Sequence, residues 1–212
     1  MTSNPPEYNC IDLFPTLIWV INLDWKFNRQ EKKVFTDSLK DPRINQLGNL
    51  TSKNTYILDK KPLQDFKREL LTHITNYFNY VWKPKEDITP YITQSWVNLT
   101  KKDMYFNAHS HSNSWVSAVY YYKTDKELDR IKFGKPFSQY EPLSIEPTSW
   151  ETYNALSWDV KVKQGDLVIF PSTLKHSVPE KEHEGERISL AINSFIKGTL
   201  GGNYTLNELK LQ

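Results

Sequence analysis

The chain is poor in cysteine, arginine and glycine, and it has no long apolar run. A single cysteine, Cys10, cannot form an internal disulfide, which suits a reducing compartment. The most apolar stretch, 17–21, is far short of the roughly 20 residues that a spanning helix needs, so no membrane association is expected. The opening MTSNPPEYN has no basic start followed by an apolar run, so no secretory signal is expected and the cytoplasm is the expected location. Charge of one sign is also missing. Lys and Arg total 27 against 25 Asp and Glu, a net +2, which argues against a nucleic-acid partner. The pairs Lys60-Lys61 and Lys101-Lys102 read as solvated loops. There are no repeats and no low-complexity tracts.

What is present is enough for one domain with a normal core: 212 residues, 38% hydrophobic, 29 of them aromatic. Residues 13–23 (LFPTLIWVINL) are rich in β-branched and aromatic side chains and predict a strand. Asn28 followed by Glu31 has capping-box spacing and predicts a short helix through Leu39, stopped before Pro42. From 62 to 82, apolar residues recur at three- and four-residue steps (Leu63, Phe66, Leu70, Ile74, Tyr77, Phe78, Val81), which predicts an amphipathic helix ended before Pro84. His73 falls among its polar positions and reads as a structural or surface residue, not a metal ligand.

After about residue 90 the pattern changes to short β-like runs at 92–99, 104–106, 115–122, 130–133, 160–162, 166–170 and 187–195. A tight turn is expected at Gln164-Gly165-Asp166. Seven or more strands after a helical preface predict a mainly β protein with helices (α+β): a sandwich or barrel buttressed by helices. The division expected is strand plus helical support over 1–90, a β core over 91–200, and a possible lid loop over 134–158.

Four of the five histidines lie in the β-rich part. His109 and His111 are two apart, so on an extended chain both imidazoles face one point. His176 follows an apolar strand 65 residues later and can supply a third nitrogen. Imidazoles suit iron, zinc, copper and nickel. Arg187 starts the run RISLAINSF, in which Arg187, Ser189, Ala191 and Asn193 share a face. A guanidinium aimed into a β core needs an anion, and its planar fork fits a carboxylate. His183, in EKEHEGE, reads as solvent-exposed. Asp103 and Asp166 read as turn residues, and Asn113 is a weaker candidate ligand.

These segments together resemble the Fe(II)- and 2-oxoglutarate-dependent oxygenases, within a bacterial and phage subgroup. The matching residues are LFPT at 13–16, SWVN at 95–98, HSHSNSWVSAVYYY at 109–122, GDLVIFPSTLKHSVP at 165–179 and ERISLAINSF at 186–195. The resemblance implies a double-stranded β-helix, the jelly roll of cupins, with helices packed on one sheet. It implies Fe(II) held by His109 and His176, with His111, where the superfamily more often has an acid, either as the third ligand or as a donor beside a water that completes the triad. It also implies that Arg187 binds the distal carboxylate of 2-oxoglutarate, helped by Tyr121, Ser189 and Asn98. The implied reaction is hydroxylation coupled to decarboxylation of 2-oxoglutarate to succinate and CO2, with O2 as co-substrate.

Trp96, Asn98, Asn107, Trp115 and Tyr121 are the candidate pocket residues, and Trp150, Tyr153 and Trp158 the candidate cover. The alternatives are a three-histidine cupin-type dioxygenase that uses no 2-oxoglutarate, and a non-catalytic jelly-roll binding or structural module. The substrate is left open between a peptide or protein and a small metabolite, with a peptide favoured by analogy.

Overall fold

The computed structural model describes residues 9, 11–45, 48–85, 87–125, 128–136 and 146–212. Cys10 and positions 137–145 of the expected lid loop lie outside the described residues. Among those described, two antiparallel sheets face each other. The larger has eight strands, in the order β1 (Trp19–Asn22), β9 (Asp166–Pro171), β6 (Val116–Lys123), β11 (Arg187–Leu200), β4 (Thr89–Thr100), β3 (Asn49–Thr51) and β2 (Arg43–Asn45), with β12 (Leu209–Leu211) also paired to β11. The smaller runs β5 (Phe106–His109), β10 (His176–Val178), β7 (Arg130–Gly134) and β8 (Ser157–Lys161). This is the expected jelly-roll-like core.

Side-chain alternation divides the larger sheet into two working faces. Along β4, Ser95, Val97 and Leu99 are buried, while Gln94, Trp96 and Asn98 face a cavity between the sheets. Along β11, Leu190 packs into the helix-side core, whereas Arg187, Ser189 and Ala191 face the cavity.

The helix-side core is filled by α2 (Gln64–Trp82), whose Phe66, Leu70, Ile74, Tyr77 and Phe78 are buried as the spacing predicts. Its C-terminus turns at Lys83, which takes a left-handed φ of 43° just before Pro84. In α1 (Arg29–Ser38) the capping box forms: Asn28 Oδ1 accepts from the Gln30 and Glu31 amides, and Glu31 Oε2 accepts from the Asn28 amide at 2.6 Å. A smaller core between the sheets contains Ile131, Phe133, Val168, Phe170 and Leu174.

Several boundaries differ from the sequence reading. Only Trp19–Asn22 of 13–23 pairs, because β9 offers a four-residue register there and the upstream residues Leu13 and Phe14 are exposed. The run 104–106 is not a strand; pairing begins at Phe106 and extends to His109, where β10 supplies partners. The three-residue strands β2, β3, β10 and β12 were not expected. Gly165 does make the turn before β9, at φ 89°. Asp166 braces it by accepting from the Lys163 amide and from Asn22 Nδ2, each at 2.8 Å. Asp103 also occupies a turn, at φ 63°. No helix among the described residues is long and apolar enough to cross a membrane.

Candidate active site

The three predicted histidines meet between the sheets. His109 ends β5 and is the direct register partner of His176 on β10. His111 follows two residues later, held by a backbone bond from its amide to the Ser172 carbonyl at 3.0 Å. The candidate ligand atoms of the three side chains all lie within 4.8 Å of one another. His111 Nε2 is 3.3 Å from His176 Nε2.

Their orientations are set by backbone. The Nδ1 of His109 lies 2.9 Å from the Asn107 carbonyl, and that of His176 lies 3.0 Å from the Leu174 carbonyl. In each ring Nδ1 therefore donates, leaving the Nε2 lone pair for the shared point. Burial holds all three imidazoles below the ordinary histidine range. His109 is lowered, His111 falls to about 4 and His176 to about 3, with the proximity of His109 adding to the effect in the last two. Neutral imidazoles converging this closely are a donor set for a divalent transition metal.

The same cavity, about 290 Å³, is lined by Trp96, Asn98, Tyr121, Arg187 and Ser189. Register explains why. Tyr121 pairs with Ser189, Ser189 with Asn98, and Asn98 with Thr51, so polar side chains form one rung across β6, β11, β4 and β3. Arg187 lies two residues from Ser189 on the same face of β11. Asn193 shares that face only in part, because the ladder bulges after it, and its Oδ1 instead accepts from Ser117. Burial pushes the Tyr121 hydroxyl up, against the opposing effect of Arg187, so the phenol stays protonated.

Arg187 is buried among charges that the sequence did not reveal. Its Nη1 donates to the Arg130 carbonyl at 2.9 Å and lies 4.0 Å from Asp129 Oδ1. The same carboxylate oxygen is 3.6 Å from Lys181 Nζ, and the Lys181 and Asp129 side chains are both 2% exposed. Two formally cationic side chains thus share one carboxylate. The Nε of Arg187 is buried with no partner among the described residues. A surplus positive charge next to an unpaired donor fits an anionic ligand with a carboxylate end.

Other expectations need correction. Asn107 contributes only its carbonyl to His109, and Trp115 turns away to pack on Trp82 at 6.0 Å, so neither lines the cavity. Asn113 also lies outside the cavity, in a turn at φ 54°. Trp150, Tyr153 and Trp158 are exposed and away from the cavity lining. His183 is half-buried, not free in solvent: Lys181 Nζ contacts its Nε2, and Asp125 Oδ2 is 3.8 Å away. His73 is structural as expected, pairing with Glu69 one helical turn away.

No curated protein matches the chain. Among solved structures, HygX from Streptomyces hygroscopicus, with nickel and 2-oxoglutarate bound, is similar at a TM-score of 0.56 and 17% identity, covering 84% of this chain and 82% of that one. A prolyl-4-hydroxylase from Pseudomonas putida is similar at 0.51 and 14%, covering 77% and 82%. SnoK, a non-heme alpha-ketoglutarate-dependent carbocyclase from nogalamycin biosynthesis, is similar at 0.54 and 12%, covering 91% and 90%. These likenesses establish the fold. Residues 94–193 match the family described as "Putative 2OG-Fe(II) oxygenase". That segment, a little under half of the chain, holds His109, His111, His176 and Arg187.

Proposed function

We propose that His109, His111 and His176 hold Fe(II), and that Arg187, Tyr121, Ser189 and Asn98 seat 2-oxoglutarate beside it. On the match over residues 94–193 we read the protein as an oxidoreductase that uses Fe(II), 2-oxoglutarate and O2. With iron and co-substrate bound, the site supplies the oxidation R–H + O2 + 2-oxoglutarate → R–OH + succinate + CO2.

The residues divide this task. The three imidazoles, neutral through burial, offer lone pairs without first losing protons. Arg187 takes the distal carboxylate through its unpaired Nε edge, with the protonated Tyr121 and the Ser189 hydroxyl as further donors. Asp129 faces the guanidinium, and Lys181, sharing that carboxylate, leaves the three side chains with one net positive charge for the dianion. Asn98, between Ser189 and Thr51 on the polar rung and with its buried Oδ1 unpaired, stands at the junction of co-substrate and substrate. Phe170 and Ile131 close the cavity wall against water. We read the whole chain as one domain, with hydroxylation the expected outcome.

The observation that carries this reading is the meeting, in one cavity, of three neutral imidazoles with a buried, charge-surplus arginine. The test is an anaerobic titration with Fe(II) and then 2-oxoglutarate, watching the visible metal-to-ligand charge-transfer band. The band is expected in the wild type and weakened in His176→Ala and Arg187→Ala. Its absence in the wild type would overturn the assignment.

A further inference from the structure

The residues assigned above leave one end of the cavity without a task. In the β2–β3 hairpin Arg43 pairs with Thr51, Asn45 with Asn49, and Ile44 with Leu50. Alternation therefore puts Arg43, Asn45, Asn49 and Thr51 on one face, and all four line the cavity. Thr51 is also opposite Asn98, so the hairpin extends the polar rung that starts at Tyr121. Strands about 4.8 Å apart place Arg43 some 10 Å from Asn98 and about 14 Å from Ser189. This end is thus separate from the Arg187 end.

Its chemistry is selective. The exposed side chain of Arg43 makes no hydrogen bond or ion pair among the described residues, whereas those of Arg68 and Arg130 pair with Asp65 and Asp159. None of the described residues lining the cavity is acidic, which disfavours a ligand of net positive charge. Asn49 is 2% exposed, and its Oδ1, like that of Asn98, is buried without a partner. A buried, unpaired acceptor is costly and is satisfied by an incoming N–H or O–H. The cavity, about 290 Å³, is at the small end of ordinary ligand sites and must also hold the five-carbon co-substrate.

We infer that the primary substrate is a small carboxylic acid with an adjacent N–H or O–H donor, an amino acid or 2-hydroxy acid. Its carboxylate sits on Arg43, its donor meets Asn49 and Asn98, and its side chain points to the histidines. The inference rests on the oxygenase reading for the reaction and on the hairpin for the ligand. It makes Arg43 a specificity-determining residue, distinct from the arginine that takes the co-substrate.

The test is anaerobic calorimetry on the Fe(II)-loaded protein, with and without 2-oxoglutarate. The probes are the twenty L-amino acids and their 2-hydroxy analogues, each compared with its methyl ester and its amide. At least one free acid is expected to bind, with its ester and amide weaker by about ten-fold or more through loss of a charge-assisted contact. Arg43→Gln is expected to weaken the acid about ten-fold and to erase the difference between acid and ester. Arg43→Lys is expected to keep that difference. An unchanged 2-oxoglutarate isotherm in Arg43→Gln shows that the cavity has survived. Binding by no free acid, or equal binding by an amide as a peptide would give, overturns the inference; so does an Arg43→Gln variant that still discriminates. Failure of 2-oxoglutarate to bind the wild type counts against the oxygenase reading alone, because the comparison without it still decides the role of Arg43.

Discussion

His109 and His176 are direct register partners across β5 and β10, with ring centroids 4.3 Å apart. Two proposed ligands 67 residues apart in sequence are thus set by one antiparallel pair, and the loop after β5 needs only to add His111. Backbone carbonyls at both Nδ1 atoms fix the rings before any metal arrives. This is the preorganisation that a metal site depends on.

The first prediction separates ligand from support. Removing a residue that only supports a metal ligand typically costs 10- to 100-fold in metal affinity, and removing a ligand should cost at least as much. His176→Ala and His111→Ala are each expected to weaken Fe(II) or Ni(II) binding by about 100-fold or more in calorimetry. A His111→Ala loss of only a few-fold would remove His111 from the ligand set.

The buried cluster around Arg187 responds to both of its neighbours. Asp129→Asn leaves Lys181 and Arg187 without their carboxylate and is expected to cost roughly 3–5 kcal/mol in urea unfolding. Lys181→Met replaces a buried cation with an apolar chain of similar length, so the fold should survive. It removes the surplus charge, and 2-oxoglutarate affinity is expected to fall on the order of ten-fold. Equal affinity in Lys181→Met and wild type would show that the cluster is structural only.

The histidines also predict a pH dependence for the metal-free protein. Burial depresses the folded values of His111 and His176 to about 4 and 3, from 6.5 in the unfolded chain. Between these limits the unfolded chain binds more protons, so stability rises with pH. The stabilisation is fully present above about 6.5 and is lost progressively as the pH falls toward the folded values. Urea titrations from pH 7.5 to 4.5 should show a declining midpoint, and one that stays flat in His111→Ala/His176→Ala would attribute the decline to these rings.

Gly48 tests the lip of the cavity. A Cβ there would collide with the Tyr105 carbonyl, just before β5 and four residues before His109. Gly48→Ala must displace the β2–β3 hairpin or the approach to β5, and a cost of about 1–3 kcal/mol is expected, as for other overpacked sites. The variant's crystal structure should show Arg43 and Asn49 displaced.

Periodicity and spacing made several elements legible in the sequence. The buried stripe of α2, the Asn28–Glu31 box, the H-x-H pair and the alternation of Arg187 with Ser189 are all local patterns, because a helix repeats every 3.6 residues and a strand every two. His176 was legible from its place after an apolar strand, and the family resemblance then implied the co-substrate.

Other features have no local signature. β2, β3 and β10 are three residues long, too short for a period to be read, yet they carry Arg43, Asn49 and His176. Lys181 stands in EKEHEGE, a stretch that reads as solvated, and Asp129 carries no pattern that marks burial; the packing of β7 beside the segment after β10 takes both out of water. Sequence alone therefore determined which chemistry the chain carries: the imidazoles, the arginine and the sheet that presents them. Tertiary structure alone decided the environment of that chemistry, because burial, charge surplus and the shape of the substrate end arise from contacts between residues far apart in the chain.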